Sequence, residues 1–208
     1  MATTLFILDW DVSSLGDEDF LAYVVKFPGF ENTVGLALAT EYKLPEPVLM
    51  VGNLKKVSKL DYPYTDTGWP IMSAKMRAVL QGLNGCRTRA YPLRMIDDTL
   101  DDPSVYFDSV DDPKHVITGF SAVQILDRVD SFDWEESVYT RSQYVPGLVS
   151  ELEKLVVKEP TNGFPPIFRL DAYPSLLMIT EETKAAFEDA RIEGVEYVRA
   201  SDFPARPS

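Results

Sequence analysis

Apolar positions in this chain fall into short runs and stripes, never into one long block. Residues 3–10 contain the run Leu5, Phe6, Ile7, Leu8 and read as a strand. Residues 17–27 mix Phe, Leu, Tyr and Val behind Asp17, Glu18 and Asp19. Acids in a first turn favour a helix, although no clean stripe supports one here. Residues 48–51 form a short apolar strand between Pro47 and Gly52. Beyond a turn-rich aromatic loop at 62–70, Ser73 is placed to cap a helix. Its stripe is Met76, Val79, Leu80 and Leu83, and Gly82, Asn84 and Gly85 end it. Tyr91, Leu93 and Met95 alternate with Pro92 and Arg94, a strand whose proline asks for an edge or a late start. A short strand is expected at 105–107. Residues 116–129 fit a helical stripe and a strand alternation alike, and strand is the preferred reading. Residues 152–157 read as a strand or the end of a helix.

The C-terminal stretch has the most consistent local signals. Phe168 and Leu170 alternate with Arg169 and Asp171, as in a half-buried strand. Residues 176–179 are wholly apolar, as in a strand covered on both faces. Thr180 can cap a helix, with Glu181 and Glu182 near the positive end of its dipole. Thr183, Ala186, Phe187 and Ala190 form its stripe, and Gly194 is the expected stop. Residues 195–198 make a final strand. The whole predicts an α+β fold, mostly antiparallel sheet with a few short helices and a C-terminal strand-strand-helix-strand unit. The chain reads as a single domain over 1–208, with two lobes meeting near 97–115 and a frayed tail at 203–208.

Composition adds a core and a charge. The 208 residues are 45% hydrophobic and 12% aromatic, which suffices for a packed interior and argues against disorder. The net charge is −13, from 20 basic and 33 acidic residues. Such a chain repels nucleic acid and anionic membranes. Most of the charge is local. Asp97, Asp98, Asp101, Asp102, Asp108, Asp111 and Asp112 follow one another with no Lys or Arg between them. The single cysteine, Cys86, forbids an intrachain disulfide, and no basic leader precedes the first apolar run; a cytoplasmic location is the expectation.

Few motifs carry chemistry. Cys86 and the single histidine, His115, form a nucleophile–base pair only if folding joins them. Phosphate-binding glycine motifs and a G-x-S-x-G elbow are absent. No cofactor and no metal are expected, since zinc wants several His or Cys ligands. The aspartate run admits four readings: a calcium site, although its spacing lacks the EF-hand pattern; part of a carboxylate pair; a solvated face; or an acidic surface that steers and docks a basic protein. In the last case Trp69 and Trp134 are candidate apolar anchors.

Three segments carry a resemblance. Gly68-Trp69-Pro70-Ile71-Met72-Ser73 resembles a g-x-P-(I/V)-x-S stretch that opens a helix. Asp130 to Ser137, with Asp133, Trp134 and Ser137, is similar to a D-x-(F/L)-D-x-x-x-S segment. Ile167-Phe168-Arg169-Leu170, then residues 179–187 and Ile192 to Tyr197 around Gly194, look like an iFRL … i-G-v-f block. In this order they resemble immunity family eleven of bacterial polymorphic toxin systems, formerly a domain of unknown function. The resemblance covers residues 48–200. It implies a non-enzymatic protein that binds and neutralises a cognate toxin, while Trp69, Pro70, Ser73, Asp133, Ser137, Phe168, Arg169 and Gly194 serve the scaffold. It transfers no binding residues. The aspartates and Trp134 are partner-binding candidates from charge and aromaticity alone. The alternatives are an enzyme acting on a small molecule or sugar through paired carboxylates, and a regulatory adaptor. Arg169, in mid-strand, is expected to find a carboxylate partner, with the acidic run as one source.

Overall fold

The computed structural model describes residues 3–26, 44–107 and 112–203. Its first strand, β1 (Leu5–Trp10), is covered on both faces. Phe6 and Leu8 enter one apolar cluster, and Leu5 and Ile7 enter another. An alternation of apolar residues with apolar residues is what a central strand requires. In register, β1 lies between β12 (Met178–Thr180) and β13 (Val195–Arg199), antiparallel to both. The sheet continues through β11 (Ile167–Leu170) to β8 (Arg128–Val129), in the order β13-β1-β12-β11-β8.

A second sheet has the order β2-β3-β5-β7-β4, with β6 also on β5. Its strands are β2 (Ala22–Val24), β3 (Val48–Gly52), β4 (Ile71–Ser73), β5 (Thr88–Asp97), β6 (Val116–Ile117) and β7 (Phe120–Ile125). A two-stranded ribbon, β9 (Val138–Arg141) and β10 (Val149–Lys154), completes the strands. All pairs are antiparallel except β3 with β5 and β8 with β11. Three α-helices are described: α1 (Leu54–Val57), α2 (Ala74–Gly82) and α3 (Glu181–Asp189). The fold is α+β, as the sequence predicts. No helix among the described residues is long and apolar enough to cross a membrane.

Burial joins the two sheets. Met72, Val123 and Ile125 of the β2–β7 sheet meet Phe6, Ile167 and Ile179 of the other, with Met76 and Leu80 of α2 and Phe187 of α3 between them. The opposite face of the β2–β7 sheet packs Val48, Met50, Leu93, Met95 and Trp69. The outer face of the β1 sheet packs Phe132, Val149, Leu152, Phe168 and Leu170.

The local signals place the helix starts. Ser73 Oγ accepts the Met76 N–H at 3.1 Å, and Thr180 Oγ1 accepts the Thr183 N–H at 3.3 Å. Several expectations give way to tertiary pairing. Residues 22–24, expected in a helix, pair with β3, and the rest of that expectation beyond residue 26 lies outside the described residues. Residues 105–107 are not a strand: a 3-10 turn, Pro103–Tyr106, forms because Asp102 caps it and Pro103 starts it. Strand β11 is buried along its whole length and is not half-buried, because β12 and β8 flank it and clusters cover both faces. Pro92 lies in a central strand, where pairing with β3 begins only at Leu93.

Helix α3 ends sooner than Gly194. Arg191 takes the left-handed conformation at φ 53°, and Gly194 follows in the turn at φ 86°. Gly194 is needed for closeness as well as for its φ: a Cβ there would stand 2.9 Å from the Tyr62 carbonyl oxygen. Segment 97–115 connects β5 to β6 inside one sheet, and the chain crosses to the other sheet between Ile125 and Arg128. Phe203 packs on the outer cluster, and residues 204–208 lie outside the described ones.

Candidate functional site

The aspartates occupy the turns that follow β5. Asp98, Asp101 and Asp102 are exposed, while Asp97 and Asp112 are half-buried; Asp108 and Asp111 lie outside the described residues. Several carboxylates hold local backbone. Asp97 Oδ1 accepts from the Thr99 N–H and hydroxyl, Asp102 Oδ1 accepts the Ser104 N–H, and Asp112 Oδ1 accepts the Lys114 N–H. Such turns are what Asp does when no helix or strand claims it. Burial and then the charges of Asp97 and Glu18 push the Asp98 carboxyl upward. Asp102 is held down by its hydrogen bonds from the Ser104 hydroxyl and N–H.

Cys86 and His115 are not brought together. Cys86 precedes β5, and the His115 carbonyl accepts the N–H of Asp97 at the other end of that strand. Ten residues of strand separate them by about 30 Å. His115 Nδ1 instead faces Asp97 Oδ2 at 3.6 Å. Burial, then the nearby Asp127, pushes the Cys86 thiol up to about 11, so it is protonated at neutral pH. Among the described residues no three His, Cys, Asp or Glu gather as a metal would require.

The two tryptophans do not flank the aspartates as free anchors. Trp69 is 3% exposed and belongs to the core under the β2–β7 sheet. Trp134 is partly buried beside the β1 sheet, edge-on to Phe132 and Tyr139, with the Arg141 guanidinium 4.5 Å above its ring. The remaining motif residues are structural. The Pro70 carbonyl accepts the Val123 N–H at 2.8 Å. Ser137 Oγ accepts the Val156 N–H, and the Asp133 carbonyl accepts the Ser137 N–H. Burial raises the Asp133 carboxyl, but the N–H groups of Glu135 and Glu136 and the Lys158 ammonium at 3.1 Å more than offset it, and the net shift is downward. Phe168 is fully buried.

Sequence reasoning missed two features. The first is Asp61, which accepts from Ser73 Oγ at 2.5 Å, Lys75 Nζ at 2.7 Å and the Glu193 N–H at 3.0 Å. It ties the start of α2 to the turn after α3. No periodic pattern marks such a residue.

The second is a cleft of about 560 Å³ between the sheets and the β9–β10 ribbon. Ile7, Leu8, Leu152 and Leu177 supply apolar wall, and Trp10, Tyr62 and Tyr173 supply aromatic wall. The Trp10 and Tyr62 rings are stacked 5.5 Å apart. Asp9, Glu151 and Glu153 also line it, and Arg169 is its cation. Arg169 is 4% exposed and has no carboxylate partner among the described residues, contrary to the expectation from the sequence. Its Nη1 donates to the carbonyl oxygens of Pro174 at 2.6 Å and Ser175 at 3.4 Å. The hairpin bend right after β11 supplies these carbonyls, which stand where a distant acid is expected but leave Nε without a partner. Burial lowers the Arg169 guanidinium to about 10, so it remains charged at neutral pH.

A scan against protein-family models and a search of curated proteins both find no match to this chain.

Proposed function

We propose that this chain is a non-enzymatic immunity protein, which neutralises a cognate bacterial toxin by binding a basic surface on it. The motif resemblance supports the class. The observation that carries the binding mode is charge placement: residues 97–139 hold twelve acidic side chains against Lys114 and Arg128. Asp98, Asp101 and Asp102 among them reach solvent. Asp127 and Asp133 are buried against Arg87 and Lys158, so it is the exposed aspartates after β5 that would speed encounter with a basic partner and reject acidic ones.

The test leaves Asp97 alone, because it holds the turn at Thr99. Asp98, Asp101 and Asp102 are changed together to Asn, which keeps the capping oxygen of Asp102. Binding to a basic bacterial toxin domain against which the chain protects in co-expression is then titrated over a range of salt. The expected result is an affinity loss of about tenfold at low salt and a shallower salt dependence. Unchanged affinity and slope would remove the acidic surface from the mechanism. A second reading, an enzyme acting on a small molecule, has one observation in its favour: the cleft that carries Asp9, Glu151 and Glu153.

A further inference from the structure

The cleft contains an imbalance that the fold itself does not resolve. A buried cation without an anionic partner is costly, because the low-dielectric surroundings replace little of its lost hydration. Arg169 is in that position. Nη1 is occupied by two carbonyls, Nε is buried and unpartnered, and Nη2 donates to no described residue. The neighbouring cation is Arg128, which is itself paired with Asp171 at 2.7 Å. Tyr62 is close enough to interact with the Arg169 charge, and its hydroxyl donates to no described residue. Both residues line the cleft.

We infer that the cleft binds an organic monocarboxylate, seated on the Arg169 guanidinium and the Tyr62 hydroxyl, with its apolar or aromatic body against Trp10, Leu152 and Leu177. A carboxylate suits the site because charge-assisted hydrogen bonds to a guanidinium are short and strong. The remaining wall selects against other anions. Asp9, Glu151 and Glu153 repel a second negative charge, so phosphate and dicarboxylates are disfavoured. The volume is ample for an aryl acid or the last residues of a peptide, and the apolar wall rewards a body over bare acetate. The inference does not depend on the toxin reading. A free acid and the C-terminal carboxylate of a protein partner present the same chemistry.

The experiment titrates the full chain, by calorimetry, with four organic probes and one inorganic one. These are 4-hydroxyphenylacetate and its amide, N-acetyl-glycyl-phenylalanine with a free carboxylate and as its amide, and inorganic phosphate. At least one acid is expected to bind at least about tenfold more tightly than its amide, and phosphate is expected not to bind. Binding of the small acid alone supports a free ligand. Binding of the dipeptide acid alone supports a chain terminus, and binding of both supports the shared site. Arg169→Met should abolish the acid-over-amide preference. Because that variant also loses the ties to Pro174 and Ser175, Ser175→Trp is the companion variant. It fills the cleft from an exposed position while leaving the Ser175 carbonyl in place, and should abolish binding with an unchanged circular dichroism spectrum. The inference is overturned if neither acid binds at millimolar concentration. It is equally overturned if acids and amides bind alike, if phosphate binds best, or if a folded Ser175→Trp protein binds as well as the parent.

Discussion

Phe187→Ala is expected to destabilise the protein by about 3–5 kcal/mol, the range for removing a buried aromatic side chain. Phe187 is fully buried on the inner face of α3 and belongs to the cluster that joins the two sheets. Its neighbours there are strand residues, such as Phe6 and Ile179, and helix residues of α2. Strands held in a hydrogen-bonded register cannot slide inward to close the void, so the cavity term persists. Against a typical stability of about 5–15 kcal/mol the loss is large. Thermal unfolding should shift down by about 10 °C or more. A shift of a degree or two would mean that α3 is not what holds the sheets together.

Asp61→Ala is expected to cost about 2–4 kcal/mol. Lys75 contributes little of this, since its side chain is half exposed. The larger share comes from the Glu193 N–H and the Ser73 hydroxyl, which lose their acceptor in a poorly solvated place. The same residue sets a pH dependence. Burial alone would raise the Asp61 carboxyl, but hydrogen bonds from Lys75, Ser73 and Glu193 outweigh it, so the folded value lies below the ordinary 3.8. A depressed carboxyl stabilises the fold fully above its unfolded value and loses that contribution as pH falls through the folded one. The stability gap between parent and Asp61→Ala should therefore be constant near neutrality and shrink below pH of about 4. Denaturant titrations at a series of pH values measure it. A gap that stays constant into acid would mean that Asp61 acts through something other than its charge.

These two residues mark what the sequence makes legible. Phe187 was legible because a helix writes its buried face at regular spacing, and Thr180 because a capping residue sits one residue before the helix it serves. Asp61 was not legible, since it reaches the Glu193 N–H across 132 positions of chain and nothing near it is periodic. The turn at 103–106 was legible but missed: an Asp followed by Pro is a capped start, and it outranks the strand preference of Val105 and Tyr106. At residues 22–24 the acids upstream suggest a helix, but pairing with β3 decides the matter.

For the candidate site the contrast is sharper. The exposure of Asp98, Asp101 and Asp102 is what a run of like charges favours, although composition does not tell them from Asp97 and Asp112, which are half-buried. The cleft has no local signature, since β1, β10, β11 and the loop before β4 each supply only part of its wall. One residue did signal it. An arginine within an apolar strand has to be answered, and here carbonyl oxygens answer only part of it.

The central claim, toxin neutralisation, is tested most directly in a growing cell. The product of the gene next to the one for this chain is expressed from an inducible promoter in a susceptible bacterium, with and without the chain, as the candidate toxin. Growth should be restored by the chain in proportion to its level, and the two proteins should purify together as one complex. Growth as poor with the chain as with an empty vector, from cells that contain both proteins in folded form, would contradict the account.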